Sequence, residues 1–256
     1  MEERINKGQE FKEQKLTKKQ QDLLMLVYRF RFVTTPQIAE LAGQNYLQTA
    51  NERLNHLVPL GYLAKRHNAS YRLAHRPAEY YATTKCVKLF RGIIDGHSER
   101  ELKQLFVRAK VSERFVKRSV VIFSIYLQLR RTYGDRLRYS SKPELNIDSY
   151  GYFPQPLPDG FFIVKAETKE DKDQYFFIEY FDDAVSIGIH GRQINKYIRY
   201  KEDGEWENTG ADFPTILIVC ESEAMRPRVE KRVRHLTRLH GSNIVVRIDK
   251  NYPAHQ

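Results

Sequence analysis

The sequence predicts an α+β chain in two parts: an N-terminal winged helix-turn-helix, a helical connector and then a mixed α/β domain. Three observations predict it. Apolar residues recur at helical spacing from Thr17 and lead into a basic hairpin, a long apolar helix follows, and the last part alternates apolar strands with helices. We place a flexible tail at residues 1–16, the winged helix at 17–95, the connector at 96–140 and the α/β domain at 141–256.

The first part carries three helical patterns. The first runs from Thr17 to about Arg31. Thr35 is expected to cap the second helix, with Pro36 in its first turn, where a missing N–H costs nothing. A glycine ends that helix, and a third begins near Asn45. Three helices with a glycine-containing turn before the third predict a helix-turn-helix.

A basic hairpin is expected after the third helix. Residues 62–66 and 71–73 are its predicted strands, residues 67–70 its turn, and residues 80–85 add a further strand. Lysine and arginine occur on both arms, which is typical of a wing that meets DNA phosphates. A winged helix that serves only protein interaction is the alternative.

The predicted DNA-contacting side chains lie on the third helix and the wing. On the helix, outward residues near the N-terminal half are placed to reach base edges in the major groove. Arg53 is expected to read guanine and Gln48 adenine, and ordinary exposed polar residues are the alternative. The full predicted set is Asn45, Tyr46, Gln48, Thr49, Arg53, Lys65, Arg66 and Arg72.

Positive charge is concentrated in the middle of the chain. Residues 60–142 hold 19 basic and 6 acidic side chains, whereas residues 1–59 hold 9 and 7 and residues 143–256 hold 15 and 19. Such a block is the electrostatic pattern of a protein that binds DNA or RNA. A solvated helical face is the alternative, but arginines spread over both the wing and a long helix favour nucleic acid. Double-stranded DNA is the expected partner.

The last part alternates strands and helices. Ahead of it, Ser112 is expected to cap a helix that is apolar over much of its circumference and is therefore buried between the two parts. Residues 140–158 show no regular pattern. Strands are predicted at residues 161–167, 175–181, 214–220 and 243–249, and helices at residues 187–201 and 223–239.

Two acids in this part resemble the metal site of a nuclease. Asp159 precedes one predicted strand and Glu179 lies within the next, a frame in which carboxylates bind Mg²⁺ or Mn²⁺ and the ion activates water. Glu179 shares a strand face with Phe177 and Phe181, so a metal ion, a lysine or an arginine must answer its charge.

The lysine usual in such sites is missing from its usual position, which Phe181 occupies. Lys165 or Lys196 would have to supply its charge from elsewhere. On the helix after the acids, Gln193, Lys196 and Tyr197 fall on one side at about 100° per residue. The predicted catalytic residues are Asp159, Glu179, Lys196, Gln193 and Tyr197, with Asp159 and Glu179 as metal ligands.

Five features occur in a distinctive order. They are Tyr-Tyr-Ala-Thr-Thr at residues 80–84, basic helices before Pro158-Asp159-Gly160, Phe-Phe-Ile-Glu at residues 176–179, Lys196-x-x-x-Tyr200, and Phe-Pro-Thr-Ile-Leu at residues 213–217. In this order, from about Gln20 to Asp249, the chain resembles the replication-relaxation family of plasmids and conjugative elements. The resemblance implies DNA binding in replication, relaxation or mobilisation, and a second domain with a restriction-endonuclease-like fold of the PD-(D/E)xK type. A relaxase or a replication initiator is the partner protein it suggests.

Three functions follow from these observations. The first is a DNA-binding accessory protein of a mobile element, and the second is a metal-dependent endonuclease. The third is a transcriptional regulator whose second domain is a dimerisation or interaction module, which leaves a homodimer open. No cofactor is expected beyond Mg²⁺ or Mn²⁺ in the endonuclease case. A polar N-terminus and the lack of a long apolar run predict a cytoplasmic protein without a membrane partner. Cys86 and Cys220 are expected to be buried thiols.

Overall fold

The computed structural model describes residues 16–43, 47–91, 111–145 and 151–249. It is a mixed α/β structure with two sheets. The N-terminal elements pack around a three-stranded antiparallel sheet of order β1-β3-β2. In chain order they are α1 (Lys18–Phe30), β1 (Val33–Thr34), α2 (Thr35–Leu41), α3 (Leu47–Leu57), β2 (Leu63–Arg66), α4 (Ala69–Leu73), β3 (Glu79–Ala82) and α5 (Cys86–Arg91).

The cap of α2 differs from the prediction by one residue. Thr34, not Thr35, is the N-cap, because its backbone is extended (φ −115°, ψ 158°) and it pairs with Glu79 of β3. Gln37 completes a capping box, since its Oε1 accepts from the Thr34 amide at 3.1 Å. The side-chain amide of Gln37, through Nε2, donates to the Val120 carbonyl at 2.7 Å, which ties α2 to the long helix Glu113–Tyr133.

The predicted second strand of the wing is wrong. Residues 71–73 belong to α4, because Asn68 caps a short helix through a hydrogen bond from the Tyr71 amide to its Oδ1 at 3.3 Å. The antiparallel partner of β2 is instead β3, with Leu63 opposite Ala82 and Arg66 opposite Glu79. The hairpin connection is therefore longer than predicted and contains a helix.

The C-terminal elements form a five-stranded mixed sheet of order β4-β5-β6-β7-β8. Strands β4 to β6 are antiparallel, and β6 to β8 are parallel. The sequence pattern did not predict the edge strand β4 or the short helix after it. In chain order the elements are α6 (Glu113–Tyr133), β4 (Leu137–Ser141), α7 (Lys142–Leu145), β5 (Gly160–Val164), β6 (Gln174–Phe181), α8 (Ile187–Glu202), β7 (Thr215–Cys220), α9 (Arg226–Leu239) and β8 (Val246–Asp249).

Helix α6 packs between the N-terminal elements and one face of the five-stranded sheet. Ser112 caps it, with Oγ accepting from the Phe115 amide at 3.2 Å, as the sequence predicted. The ring of Phe123 stacks on Phe30 of α1 at 4.3 Å between centroids. A single hydrophobic cluster joins α1, α6 and the sheet face that carries Ile178 and Leu217.

The other face of the sheet is covered by α8 and α9. Because side chains alternate along a strand, Phe177, Glu179 and Phe181 of β6 point to this second face. They meet a second hydrophobic cluster that includes Tyr197 of α8 and Val229 of α9. The sheet therefore separates α6 from α8 and α9. Within the described ranges, no helix has the length and apolar character that crossing a bilayer requires.

Candidate functional site

The two predicted acids lie at neighbouring places on the β5–β6 pair. Asp159 directly precedes β5, and its amide donates to the Ile178 carbonyl at 2.9 Å. Gly160, the next residue, faces Ile178 across the ladder. A Cβ on Gly160 would come 2.6 Å from the Tyr139 hydroxyl, so glycine lets β4 approach here. The structure thus brings Asp159 next to Glu179.

Asp159 forms an ion pair with an arginine. Its side chain is buried, Arg118 Nε donates to Oδ1 at 3.1 Å, and a second guanidinium nitrogen pairs with Oδ2. The Tyr180 amide also donates to Oδ2, at 2.8 Å. Burial alone would lower the pKa of Arg118, but the carboxylates of Asp159 and Glu179 outweigh it, and the pKa is raised. Arg118 is therefore a permanent counter-ion.

The polar partners of Glu179 come from the opposite face of the sheet. Lys196 Nζ lies 2.8 Å from Glu179 Oε1, and the Tyr197 hydroxyl donates to the same oxygen at 2.6 Å. Lys196 also donates to the Pro156 carbonyl at 2.9 Å. Burial, followed by the negative charge of Glu179, raises the pKa of Tyr197 well above its ordinary value. The phenol therefore stays protonated and keeps this hydrogen bond.

These contacts do not fit a magnesium or manganese site at the acids. A cation at Asp159 would have to displace Arg118, which touches both carboxylate oxygens. At Glu179 it would compete with an ammonium and a phenol for Oε1. In the part of the chain that the structure describes, no group of three acids, histidines or cysteines is placed to hold a metal ion. Both carboxylates are therefore held in charge-balanced packing.

Gln193, the remaining predicted catalytic residue, makes its side-chain hydrogen bond elsewhere. Gln193 turns to His190, with Oε1 3.2 Å from Nδ1. Phe181, at the usual lysine position, is fully buried, and its ring stacks on His190 at 4.0 Å. Lys165 pairs with Asp173 at 2.6 Å. Of the two lysines considered, Lys196 is the one at the acids.

The outward face of α3 is exposed, as the DNA-contact hypothesis requires. Arg53 projects into solvent, whereas Ala50 and Leu54 are fully buried against the N-terminal core. Gln48 donates to Glu52 at 2.9 Å, and Thr49 is half-buried. Asn45 and Tyr46 lie outside the described residues.

The three predicted wing cations lie in different surroundings. Lys65 is exposed, with Nζ 5.5 Å from the Tyr80 ring centroid and 3.4 Å from Asn55 Oδ1. Arg72 is exposed on α4. Arg66 is half-buried and forms ion pairs with Glu113 of α6 and, at 3.6 Å, with Glu79. Lys65 and Arg72 are available to a ligand, but Arg66 holds the hairpin against α6.

Comparison with known protein families identifies the family of this chain. The sequence profile of the replication-relaxation family matches residues 24–216. The chain belongs to the replication-relaxation family. Comparison with curated proteins and with solved structures gives no significant match. The family assignment confirms the resemblance found in the sequence, and it suggests a role in the replication or relaxation of mobile elements.

In this replication-relaxation protein, an ion-pair cluster of one exposed arginine, one half-buried arginine and one buried acid was missed as a unit. Arg114 and Arg118 both reach Asp182, which directly follows β6, at 3.0 and 3.5 Å. The spacing of four residues on a helix capped by Ser112 places both arginines on one face, and this was visible in the sequence. Their acidic partners were not, because pairing between an arginine and an acid far along the chain depends on the packing of α6 against the sheet.

Proposed function

We propose that this protein binds duplex DNA through its N-terminal part and acts as an accessory factor in the replication, relaxation or mobilisation of a mobile element. The observation that carries the proposal is the exposed face of α3 with Arg53, beside a hairpin that leaves Lys65 and Arg72 in solvent. In a winged helix, such a helix lies in the major groove and the wing meets phosphates. The family to which the chain belongs supports the same role.

The C-terminal sheet is, on this proposal, a rigid nuclease-like platform without its own cutting activity. A mixed sheet with helices on both faces fits the expected restriction-endonuclease-like architecture. The ion pairs Asp159–Arg118 and Glu179–Lys196 occupy the places where such an enzyme would hold metal. A partner enzyme, such as a relaxase or a replication initiator, would then supply the chemistry.

Substitutions in the N-terminal part test the DNA proposal. Arg53→Ala is expected to reduce discrimination between preferred and unrelated duplexes by about 1–3 kcal/mol, because an arginine that reads a base contributes that much. Lys65→Ala and Arg72→Ala should weaken binding to all sequences and lower the salt slope by about 0.9 for each lost phosphate contact. Fluorescence anisotropy at several salt concentrations measures both effects.

Lys172→Ala is a suitable control, because Lys172 is a well-exposed lysine between β5 and β6. It should bind like the unchanged protein. If Arg53, Lys65 and Arg72 can all be replaced without altering DNA affinity, the N-terminal part is not the DNA-binding surface.

The endonuclease alternative requires a direct test of cutting. Supercoiled plasmid incubated with the protein and Mg²⁺ or Mn²⁺ should remain intact. Nicking that disappears in Asp159→Ala and Glu179→Ala would overturn the platform proposal and establish the enzyme.

A further inference from the structure

The exposed side of α9 is strongly basic, in a part of the chain whose net charge is negative. Its fourteen residues include six lysines and arginines and a single acid, Glu230. Val229 and Leu236 are buried against the sheet. Four of the cations are exposed on the other side, within an arc of about 120° and over about 15 Å of helix length. These four, Arg228, Lys231, Arg234 and Arg238, form the α9 stripe.

The α9 stripe is not neutralised by the part of the chain that the structure describes. None of its four side chains forms an ion pair with any described residue, whereas Arg226 at the start of the helix pairs with Glu230 at 3.1 Å. The cations at the start of α6 behave differently, since Arg114, Lys117 and Arg118 are all paired with carboxylates of the C-terminal part. Part of the charge in the most basic segment of the sequence is thus used internally, whereas the α9 stripe keeps its charge for solvent or a ligand.

Like charges three and four residues apart on a helix repel each other and destabilise it. No contact with a described residue compensates this repulsion, so the stripe offers unpaired positive charge to an external anion. Within α9, whose residues are all described, Leu239 at the last position is the single large apolar side chain that is exposed. Protein interfaces are usually centred on several aromatic or aliphatic anchors. The composition of the stripe therefore favours a sugar-phosphate backbone over an acidic protein.

The α9 stripe lies far from α3. Helix α3 packs on α2, α2 on α6, and α6 on one face of the five-stranded sheet, while α9 covers the opposite face. At about 10 Å for each of the four packing steps, the path through the fold from α3 to α9 is on the order of 40 Å. One duplex seated along α3 would reach the stripe only by passing to the far face of the five-stranded sheet.

We propose that the α9 stripe binds the phosphate backbone of a second duplex segment, so that one protein molecule bridges two segments of DNA. This rests on the proposed function, in which α3 and the wing hold the first segment. The second contact is made to phosphates only and is independent of sequence. Its strength falls with salt, because each phosphate neutralised releases counterions.

A bridging assay separates the two contacts. One duplex is fixed to beads, protein is added, and capture of a fluorescent second duplex is measured as salt is raised. Lys231→Ala combined with Arg234→Ala should lose capture of the second duplex, with the salt slope of capture lower by about 2 for two phosphate contacts. Lys169→Ala combined with Lys172→Ala removes the same charge from the exposed β5–β6 loop and should capture normally. Thermal unfolding verifies that both variants are folded.

Each other result has a definite meaning. If the α9 variant captures the second duplex as well as the unchanged protein does, the inference is overturned. A dimer that bridges two duplexes through its two copies of α3 would give this result. If the α9 variant loses binding to the fixed duplex as strongly as Arg53→Ala does, both surfaces hold one segment, and the inference is wrong. If the unchanged protein binds the fixed duplex but captures no second one, only this inference fails. If it binds no duplex at all, the proposed function fails with it.

Discussion

Removing the Arg118 guanidinium should destabilise the fold more than any change to a surface charge. In Arg118→Met the stem still packs, but Asp159, whose side chain is 6% exposed, is left as a buried carboxylate without its counter-ion. Breaking a buried pair from one side typically costs about 3–5 kcal/mol, and the 23% exposure of Arg118 places the expected loss near the lower end, about 3 kcal/mol. At about 2–4 °C per kcal/mol, the melting temperature should fall by roughly 6–12 °C.

Urea unfolding measures the loss directly. The only tryptophan, Trp206, is buried beside the C-terminal sheet and reports the transition by its fluorescence. Asp159→Asn added to Arg118→Met should recover part of the loss, because the uncompensated charge is then gone. Lys18→Met is the control, since Lys18 pairs with Asp22 on an exposed helix surface and should change stability by about 0.5 kcal/mol or less. A loss below about 1 kcal/mol in Arg118→Met, or no recovery with Asp159→Asn, would refute the assignment of Arg118 as the counter-ion.

Four further results are expected. Tyr197→Phe removes a hydrogen bond to the buried Glu179 carboxylate and should cost about 1.5–3 kcal/mol in urea unfolding, while a neutral result would mean that Lys196 alone suffices. Burial raises the pKa of the Cys86 and Cys220 thiols to about 12, so neither should react with iodoacetamide at pH 8.5 unless the protein is unfolded. Because only the unfolded thiols ionise near pH 9, their contribution to stability is complete below pH 9 and declines as the pH rises towards 12, which unfolding at pH 8, 10 and 11 would detect. Gln37→Ala breaks the link from α2 to α6 and should cost about 1–3 kcal/mol by the same measurement.

Helices whose apolar residues recur at regular spacing over many residues were predictable from the sequence. The observed bounds of α8, Ile187–Glu202, differ by one residue from the prediction, and Ser112 caps α6 as expected. These elements follow from local spacing and capping, which the sequence contains. The wing was harder, since residues 71–73 alternate like a strand. The Asn68 cap and the pairing of β2 with the more distant β3 decide that they are helical.

The candidate sites show why charge alone is an incomplete guide. An arginine has the same appearance in a sequence whether it faces a phosphate or one of the protein's own carboxylates. Arg66 was predicted to meet DNA but pairs with Glu113, and Arg118 was counted only as part of a basic block. For Glu179, we predicted that a metal ion, a lysine or an arginine must balance the charge. In the structure Lys196 is that partner. The missing information is tertiary: which face of α6 meets the sheet.

The burial of α6 also limits how this protein can be dissected. A fragment that ends before Ser112 would keep every element from α1 to α5 but lose the surface on which Phe30 stacks, and it would leave Gln37 without its partners on α6. The newly exposed apolar face would favour aggregation over an independent domain. A fragment that begins after Tyr133 would uncover Ile178 and Leu217 on the sheet in the same way. Expression trials should therefore keep α6 with whichever half is expressed, and a half that lacks α6 should be insoluble even when all predicted DNA contacts are retained.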